Sequence, residues 1–390
     1  MVMNPVFAVV DAQHVNGTPT VILGSPKQLL LGYNYPWAFN KYGLYFGPHL
    51  ANPPLSLPAP SIPQSDDEFA AGALVPLTNE EMWIEQWVDA FGSHLSYLHT
   101  KLKISVVRVF LLCNAINWGG VDAGGNFQPP PYLHLRFRYH FRKILQACDS
   151  AGVQLMPSLV DFGIGDPANP LERRLPIVTD DQIRTQFYDQ VLEPLLDDSA
   201  KFENVIYAWE VMNEPSWLTG SYWPTFQWNA PSNWLPSTPP VTDAQLSTFL
   251  SDGLARIEKR GFASTVGHRY FSDLKRYPTG NTPQFHYYPR ATNSDPSTLP
   301  DAKATGLPIP PILGEFGSSS FHGGSWNEVD GRDLAGTAQR VAERLAAANA
   351  KHYGLAMLWP DQPDPSDTSI DPLKLSAEAE QGILRFLASP

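Results

Sequence analysis

Short, almost wholly apolar segments alternate with amphipathic helical segments along most of this chain. Such apolar segments are typical of parallel strands, which are buried on both faces when helices cover the sheet. Eight of them lie near residues 29–36, 105–112, 153–162, 205–212, 264–267, 283–288, 310–316 and 353–359. Periodic helical segments lie near residues 84–102, 133–150, 180–197, 242–260 and 332–351. The alternation predicts an α/β fold closed into a (β/α)8 TIM barrel.

A doubly wound open sheet is the alternative to the barrel. That fold usually carries a glycine-rich phosphate-binding turn after its first strand, and the segment LLLGYNYP at residues 29–36 has no such turn. No GxxxxGK[ST] pattern occurs, and Gly163-Ile164-Gly165 lacks the third glycine of a dinucleotide motif. The sequence therefore favours the barrel and predicts no nucleotide cofactor.

The length of the chain is compatible with one catalytic barrel domain over residues 1–390, since such barrels run well beyond the usual domain size. Residues 7–23 alternate apolar and polar around Asn16-Gly17, a dipeptide suited to a tight turn, so residues 1–28 are predicted to form an N-terminal β-hairpin extension. The 38 prolines and 11 tryptophans predict long, ordered Pro/Trp-rich loops at the C-terminal face of the barrel.

Three helices are predicted to begin at capping boxes, in which a threonine precedes Glu or Gln by three residues. The three boxes are Thr78 with Glu81, Thr179 with Gln182, and Thr242 with Gln245. Each box precedes a periodic apolar run, which is where a helix should start.

The acidic balance of the chain limits its partners. The formal net charge is −12 and no Lys/Arg run occurs, so no nucleic-acid partner is expected. No stretch approaches the roughly 20 apolar residues of a membrane helix, so no membrane partner is expected. The first residues lack a basic segment followed by an apolar core, which suits an intracellular protein or a secreted one whose leader was removed. The oligomeric state and the compartment stay open.

Polar side chains occur where the predicted strands end. The C-terminal ends of barrel strands carry the active site in this type of fold, and a buried ring of charged groups is costly unless it has a function. The residues at these ends are Asn34, Tyr35, Arg108, Asn114, Asp161, Asn213, Glu214, His286, Tyr288, Glu315 and Trp359. We therefore expect the functional site at this end of the barrel.

Two glutamates of this ring suggest a reaction. Glu214 follows the fourth strand in WEVMNEP, and Glu315 lies in ILGEFG three strands later, on the opposite side of the barrel mouth. Either one alone could be a structural ion-pair partner. Together they match glycosidic bond cleavage, which needs one carboxylic acid to protonate the leaving oxygen and one carboxylate at the anomeric carbon.

These motifs resemble those of a known clan of enzymes. The resemblance is carried by Asn213-Glu214-Pro215, Glu315 in a GEFG context, His286-x-Tyr288, Arg108 in VVRVFL, and Trp359. In this combination and order, the chain resembles the retaining glycoside hydrolases with a (β/α)8 barrel. Within that clan it looks most similar to the cellulase and β-mannanase family, glycoside hydrolase family 5. The resemblance covers nearly the whole chain.

The resemblance implies that Glu214 is the general acid/base and Glu315 the nucleophile. Their carboxyl groups are then expected about 5–5.5 Å apart. Arg108 is expected to lie under Glu315 and Tyr288 to hydrogen-bond it. Because an ionised Glu315 opposes a second negative charge, we expect a raised pKa for Glu214 and a low one for Glu315.

The same resemblance implies the substrate contacts. Asn213 is expected to hold the sugar 2-hydroxyl, and His286 to lie beside Glu214. Trp359 is expected to form a floor under the sugar ring, whose C–H face packs well on an indole.

Other candidate contacts are less regular. Many family members carry histidine where this chain has Asp161, which we count as a substrate-binding residue. Trp37, Trp118 and Trp217 are predicted to meet the sugar from loops at the barrel mouth. The Trp-rich loop over residues 216–240 could wall a pocket, line a cleft or pack on itself.

The predicted function is a retaining β-glycosidase that hydrolyses β-linked gluco- or manno-oligosaccharides or polysaccharides by double displacement. Its partner is then a carbohydrate substrate, and the mechanism needs no cofactor and no metal. Two cysteines, Cys113 and Cys148, are too few for a zinc site and are expected to be buried thiols. The alternatives are a carbohydrate-binding barrel without activity, which has no need of both glutamates, and an open-cleft secreted endo-glucanase or endo-mannanase.

Overall fold

The computed structural model describes ten segments of the chain, and every structural statement below concerns these segments. They are residues 29–35, 79–112, 118–121, 127–133, 135–165, 175–220, 241–288, 298–317, 334–359 and 375–389. The predicted hairpin at 1–28, Trp37, Cys113 and Asn114 lie outside them, as does most of the loop 216–240. For Trp118 the backbone is described but the side chain is not.

Eight parallel strands close into a barrel, which confirms the predicted fold. The barrel strands are β1 (Leu30–Tyr35), β2 (Ile104–Phe110), β5 (Gln154–Asp161), β6 (Trp209–Asn213), β7 (Ser264–His268), β8 (Gln284–Tyr287), β9 (Ile312–Phe316) and β10 (Leu355–Leu358). Each lies within one of the eight predicted apolar segments or overlaps it. Neighbours around the barrel are neighbours in the chain, and β1 closes the ring by pairing with both β2 and β10.

Two further strands form an antiparallel hairpin beside the barrel. They are β3 (Trp118–Val121) and β4 (Phe127–Leu133). This hairpin was not predicted from the sequence, because Gly119-Gly120 and the three prolines at 129–131 are weak strand formers.

Helices pack around the described barrel. They are α1 (Asn79–Leu102), α2 (Leu135–Ala151), α3 (Pro176–Thr179), α4 (Asp181–Phe187), α5 (Glu193–Ser199), α6 (Asp243–Lys259), α7 (Leu334–Ala350) and α8 (Ala377–Ala388). The single helix predicted near residues 180–197 is divided by a π-helical turn over Tyr188–Leu192. Helix α8 was not predicted. No helix in the described segments has the length and apolarity that a membrane span requires.

The helix starts test two of the three predicted capping boxes, because Thr78 of the first box lies outside the described residues. At α6 the box is present: the Thr242 hydroxyl accepts from Gln245 N at 3.2 Å, and Thr242 N donates to Gln245 Oε1 at 3.0 Å. At α4 the predicted Thr179 box is wrong. Thr179 belongs to the preceding short helix, and the extended residue Asp180 caps α4 by accepting from Gln182 N at 2.9 Å.

The core has two parts. A large cluster lies between the barrel wall and the helices, and it includes Cys148, a buried free thiol as expected. A small second cluster fills the barrel interior at the N-terminal ends of the strands. We call it the lower plug, and it consists of Val106, Met156, Ile312, Leu355 and Met357.

Candidate active site

Strand register brings the predicted polar residues together at the C-terminal end of the barrel. Asn34 pairs with Arg108 across β1 and β2, and Asp161 pairs with Asn213 across β5 and β6. His286 pairs with Glu315 across β8 and β9. Because side chains of paired residues point the same way, each pair enters the barrel mouth together.

Arg108 lies at the centre of this layer with all five N–H donors engaged. Its Nε donates to Glu210 Oε2 at 2.8 Å. Its Nη2 donates to Glu210 Oε1 at 2.6 Å and to Asn213 Oδ1 at 2.7 Å. Its Nη1 donates to Glu315 Oε1 at 2.5 Å and to Asn34 Oδ1 at 3.0 Å. A planar guanidinium held at every donor has no rotational freedom. Arg108 therefore fixes the positions of two carboxylates and two amides at once.

Asn34 links this layer to the closure of the barrel. Its Nδ2 donates to the backbone oxygens of Gly314 at 3.1 Å, Met357 at 3.3 Å and Leu358 at 3.3 Å, on β9 and β10. Its Oδ1 accepts from Arg108. One side chain on the first strand thus contacts two later strands and the central arginine.

Glu210 belongs to the same buried polar group as Arg108, although it was not among the predicted site residues. It is fully buried, and besides Arg108 it accepts from Ser158 Oγ at 2.5 Å and from Gln284 Nε2. Burial alone would raise the pKa of Glu210, but the charge and hydrogen bonds of Arg108 outweigh it, so the net pKa is lowered. The available signal was a glutamate in the middle of an apolar strand, four residues before Glu214.

Gly267 makes room for this buried carboxylate. A Cβ at position 267 would lie 3.1 Å from both Oε1 and Oε2 of Glu210, closer than most carbon contacts in proteins. The glycine in STVGH on β7 is therefore explained by the close approach of a charged group rather than by its backbone angles.

Glu315 is buried on β9, and its carboxylate accepts hydrogen bonds from two side chains. Arg108 Nη1 lies 2.5 Å from Oε1, and the Tyr288 hydroxyl donates to Oε2 at 2.6 Å. Both expected contacts are thus present. Burial raises the pKa of Glu315 above its ordinary value, and the charges of His286 and Arg108 do not fully offset this.

Glu214 occupies a different environment, one residue past the end of β6. Its backbone is in the left-handed region at φ 43°, a rare conformation for a residue with a side chain and one that concentrates at functional sites. The turn that follows places Trp217 beside Glu214, and Trp217 Nε1 donates to Glu214 Oε2 at 2.6 Å. His286 Nδ1 lies 2.8 Å from Oε1 and must donate, since a carboxylate only accepts.

These donors reverse the expected order of the two pKa values. Burial would raise the pKa of Glu214, but His286, Arg269 and Trp217 together lower it below its ordinary value. The expectation of a raised pKa for Glu214 and a low one for Glu315 is therefore wrong for the substrate-free site. It rested on the opposing carboxylate, Arg108 and Tyr288, and it left out the lowering effect of the donors around Glu214 and the burial of Glu315.

The two glutamates are close together, with His286 between them. One oxygen of Glu214, one oxygen of Glu315 and one nitrogen of His286 all lie within 4.8 Å of one another. An imidazole and two carboxylates could also bind a divalent metal. However, both oxygens of Glu315 already accept hydrogen bonds from Arg108 and Tyr288. The two neighbouring carboxylates are therefore better suited to proton transfer and covalent chemistry than to metal binding.

Asn213 and Asp161 form a second contact pair beside Glu214. Asn213 Nδ2 donates to Asp161 Oδ2 at 2.7 Å, and Gly163 N donates to Asp161 Oδ1 at 2.7 Å. Burial raises the pKa of Asp161 to about 7, although both hydrogen bonds oppose the shift. Asp161 thus contacts the protein through both oxygens.

The aromatic candidates are placed differently from one another. Trp359 lies partly exposed at the end of β10, 6.2 Å from the ring of Phe110 between centroids. Trp217 is only 1% exposed, and the Arg269 guanidinium lies 3.4 Å from the centre of its ring. The structure therefore places Trp217 against Glu214 and Arg269, as support for the site rather than as an open surface.

Several solved structures share this architecture. The β-1,4-mannanase from the common sea hare Aplysia kurodai matches with a TM-score of 0.58 at 12% identity, over 92% of this chain and 92% of that one. The β-1,4-D-mannanase from Cryptopygus antarcticus matches with a TM-score of 0.57 at 15% identity, over 92% and 90%. A GH5_18 protein from Streptomyces cattleya in complex with Manβ1-4GlcNAc matches with a TM-score of 0.53 at 15% identity, over 78% and 77%.

Sequence comparison adds no closer relationship. No family model matches the chain, and no curated protein matches it. At the identities of the structural matches, the similarity establishes the fold: this chain has the (β/α)8 barrel of these glycoside-hydrolase structures.

Proposed function

We propose that this protein is a retaining β-glycosidase, a glycoside hydrolase of the family 5 type. The observation that carries the proposal is the pair Glu214 and Glu315, a partly buried and a buried carboxylate with oxygens within 4.8 Å and with different hydrogen-bond partners. Such a short gap is typical of retaining enzymes, whereas inverting enzymes need a wider gap for a water molecule. The barrel mouth is also where this fold places its chemistry.

Glu315 is the nucleophile in this proposal. Its carboxylate attacks the anomeric carbon as the bond to the leaving oxygen breaks, which gives a glycosyl-enzyme ester. Arg108 and Tyr288 hold the carboxylate oxygens at 2.5 and 2.6 Å, so the attacking group is already oriented before substrate arrives.

Glu214 is the general acid/base. It gives its proton to the leaving oxygen in the first step, and in the second it takes a proton from the water whose oxygen displaces Glu315. The active form therefore carries one proton on Glu214 and none on Glu315. Because Glu214 and Glu315 lie close together, their protonation is coupled, and a sugar oxygen at Glu214 supplies the acceptor that favours this form.

The proposed substrate is a β-linked gluco- or manno-oligosaccharide or polysaccharide. Three features support a sugar in this site: the amide of Asn213 beside Glu214, the partly exposed Trp359, and the structural likeness to two β-mannanases and to a protein in complex with Manβ1-4GlcNAc. Mannose is the favoured sugar on that likeness. We further propose that residues 1–390 form one catalytic domain.

Product analysis on β-linked oligosaccharides tests this function. The purified chain should release sugars from β-linked mannose or glucose oligomers, and proton NMR should show the β-anomer as the first product. Glu214→Ala should lose least on aryl glycosides, whose leaving group needs no proton. Binding of the oligosaccharides without any turnover would favour the carbohydrate-binding alternative, and a first product of inverted configuration would contradict the roles given to the two glutamates.

A further inference from the structure

We propose that Asp161 is a positioning residue that fixes the amide of Asn213 so that Asn213 can bind the 2-hydroxyl of the sugar. The inference rests on the proposed glycosidase function and assigns Asp161 an indirect role in place of a direct substrate contact. It starts from the contacts of two neighbouring side chains on β5 and β6, which are register partners at the barrel mouth.

The amide of Asn213 is held at both ends. Its Oδ1 accepts from Arg108 Nη2 at 2.7 Å, and its Nδ2 donates to Asp161 Oδ2 at 2.7 Å. Arginine has only donors, so the end of the amide that contacts Arg108 is the oxygen and the end that contacts Asp161 is the nitrogen. The amide can then have only one orientation.

This orientation leaves one group of Asn213 for a ligand. Nδ2 carries two N–H bonds, and Asp161 accepts one of them; within the described segments the second has no protein partner. Because the amide is planar, fixing its oxygen and one N–H also fixes the direction of the other N–H. That N–H lies on the residue immediately before Glu214, next to the proposed reaction centre.

Asp161 is itself held by the backbone. Gly163 N donates to its Oδ1 at 2.7 Å, within the tight turn that follows β5. The carboxylate therefore presents Oδ2 to Asn213 from a fixed position. An asparagine at position 161 could keep only one of these two contacts. If its oxygen accepted from Gly163, its own NH2 group would face the NH2 group of Asn213.

The test is the loss of 2-hydroxyl recognition in Asp161→Asn. An aryl β-mannoside and an aryl β-glucoside share one 2-deoxy analogue, so the ratio of kcat/KM for the better 2-hydroxy substrate to that analogue measures the 2-hydroxyl contact. We expect this ratio to fall about 10- to 100-fold in Asp161→Asn, since one oriented hydrogen bond is lost. Turnover of the 2-deoxy analogue should change less than about threefold, and Asp161→Ala should behave alike if Asp161→Asn does not fold.

Two controls separate positioning from general damage. In an Asn213→Ala background, Asp161→Asn should lower the ratio no further, because Asp161 acts through Asn213. Asp198→Asn removes an equally buried carboxylate that pairs with Arg138 and Arg142 on the outer layer, and it should leave the ratio unchanged.

The outcomes distinguish this inference from the function on which it rests. If the wild type turns over glycosides and Asp161→Asn keeps the wild-type 2-hydroxyl ratio, the role of Asp161 alone is overturned. The same holds if Asp161→Asn loses kcat/KM equally on the 2-hydroxy substrate and on the 2-deoxy analogue. Absence of turnover by the wild type on every glycoside would overturn both.

Discussion

The two ends of this barrel are built from the same strands but from opposite kinds of side chain. At the N-terminal end, the lower plug is wholly apolar, with Met156 and Leu355 fully buried. At the C-terminal end, two residues further along β2, Arg108 is equally buried but charged, and it pairs with Glu210 and Glu315. The strands thus change from apolar to ionic packing within about 7 Å of strand length.

The difference separates stability from function. Apolar burial stabilises the folded state directly, whereas a buried ion pair roughly offsets its own desolvation and contributes little net stability. The ion pairs of the polar end therefore fix the positions of its side chains rather than add net stability, because every N–H of Arg108 donates to an acceptor. Substitutions at both ends should therefore lower stability when they leave a buried group without its partner or a cavity, but only those at the polar end should also lower activity.

The largest expected effect is at Glu315. Glu315→Ala removes the proposed nucleophile, and kcat/KM on an aryl β-glycoside should fall by about 10⁴-fold or more, which is over about 5 kcal/mol. The thermal midpoint should fall less than it does when Glu210 is replaced, because Arg108 keeps its two bonds to Glu210. The exposed Glu343→Ala is the control and should retain full activity. A loss of less than tenfold at position 315 would contradict the assignment.

Glu210→Gln should break the strongest ion pair of the polar end. The free energy of unfolding near pH 7 should fall by about 3–5 kcal/mol, because the Arg108 charge stays buried with one carboxylate fewer. Asp252→Asn, in a half-exposed pair with Arg184, is the control and should cost about 1 kcal/mol or less.

The same variant has a pH signature. The lowered pKa of Glu210 means that its ionised form stabilises the fold above its ordinary value of 4.5, and that this stability is lost as pH falls through the lower folded-state value. Glu210→Gln should therefore lose less stability on acidification than the wild type. An identical acid dependence would show that Glu210 does not contribute to it.

Leu355→Ala tests the apolar end. We expect a loss of about 3–4 kcal/mol in the free energy of unfolding, since a fully buried leucine is replaced by a cavity in the lower plug. The value of kcat/KM near room temperature should stay within about threefold of the wild type. Leu384→Ala, at an exposed position of α8, should cost less than about 0.5 kcal/mol. A large loss of activity without a loss of stability would erase the contrast between the two ends.

The smallest effect concerns His268, a buried imidazole at the C-terminal end of β7. Burial lowers its pKa from 6.5 to about 4, so the fold favours the neutral form. Stability from this group is complete above 6.5 and is lost as pH falls towards 4, by about 2–3 kcal/mol.

His268→Gln keeps a donor for the Pro278 oxygen, which His268 Nε2 contacts at 3.1 Å, but it does not titrate. Between about pH 7 and pH 4, the free energy of unfolding of this variant, measured with denaturant, should therefore fall by about 2–3 kcal/mol less than that of the wild type. The exposed His352→Gln should show the wild-type pH dependence. Equal losses in His268→Gln and the wild type would contradict the role of His268.

The sequence predicted the barrel well because parallel strands carry a strong local signal. All eight barrel strands were predicted from their apolar character, and the polar residues at their ends follow from one rule about barrels. The start of α4 was misassigned because Thr179 and Asp180 are both good capping residues, and only the preceding short helix decides between them.

The electrostatics of the site could not be predicted in the same way. Glu210 does not follow from the rule about strand ends, because it lies within its strand and its partner Arg108 is distant in the sequence. The pKa order of Glu214 and Glu315 depends on His286, Arg269 and Trp217 around Glu214 and on the burial of Glu315. These surroundings come from the folded barrel mouth and the turn at Glu214 rather than from any motif.

Asn34 makes the assembly of the charged layer dependent on the order in which the chain is synthesised. Its amide nitrogen reaches the backbone of β10, more than 300 positions later in the chain, while its oxygen holds Arg108. A nascent chain that has not yet docked residues 355–358 lacks two of the three backbone acceptors of Asn34. Such long-range contacts form late. In a ribosome-bound intermediate, Arg108 could therefore already contact Glu210 and Asn213, while its contact with Asn34 would not yet be held in place by β10.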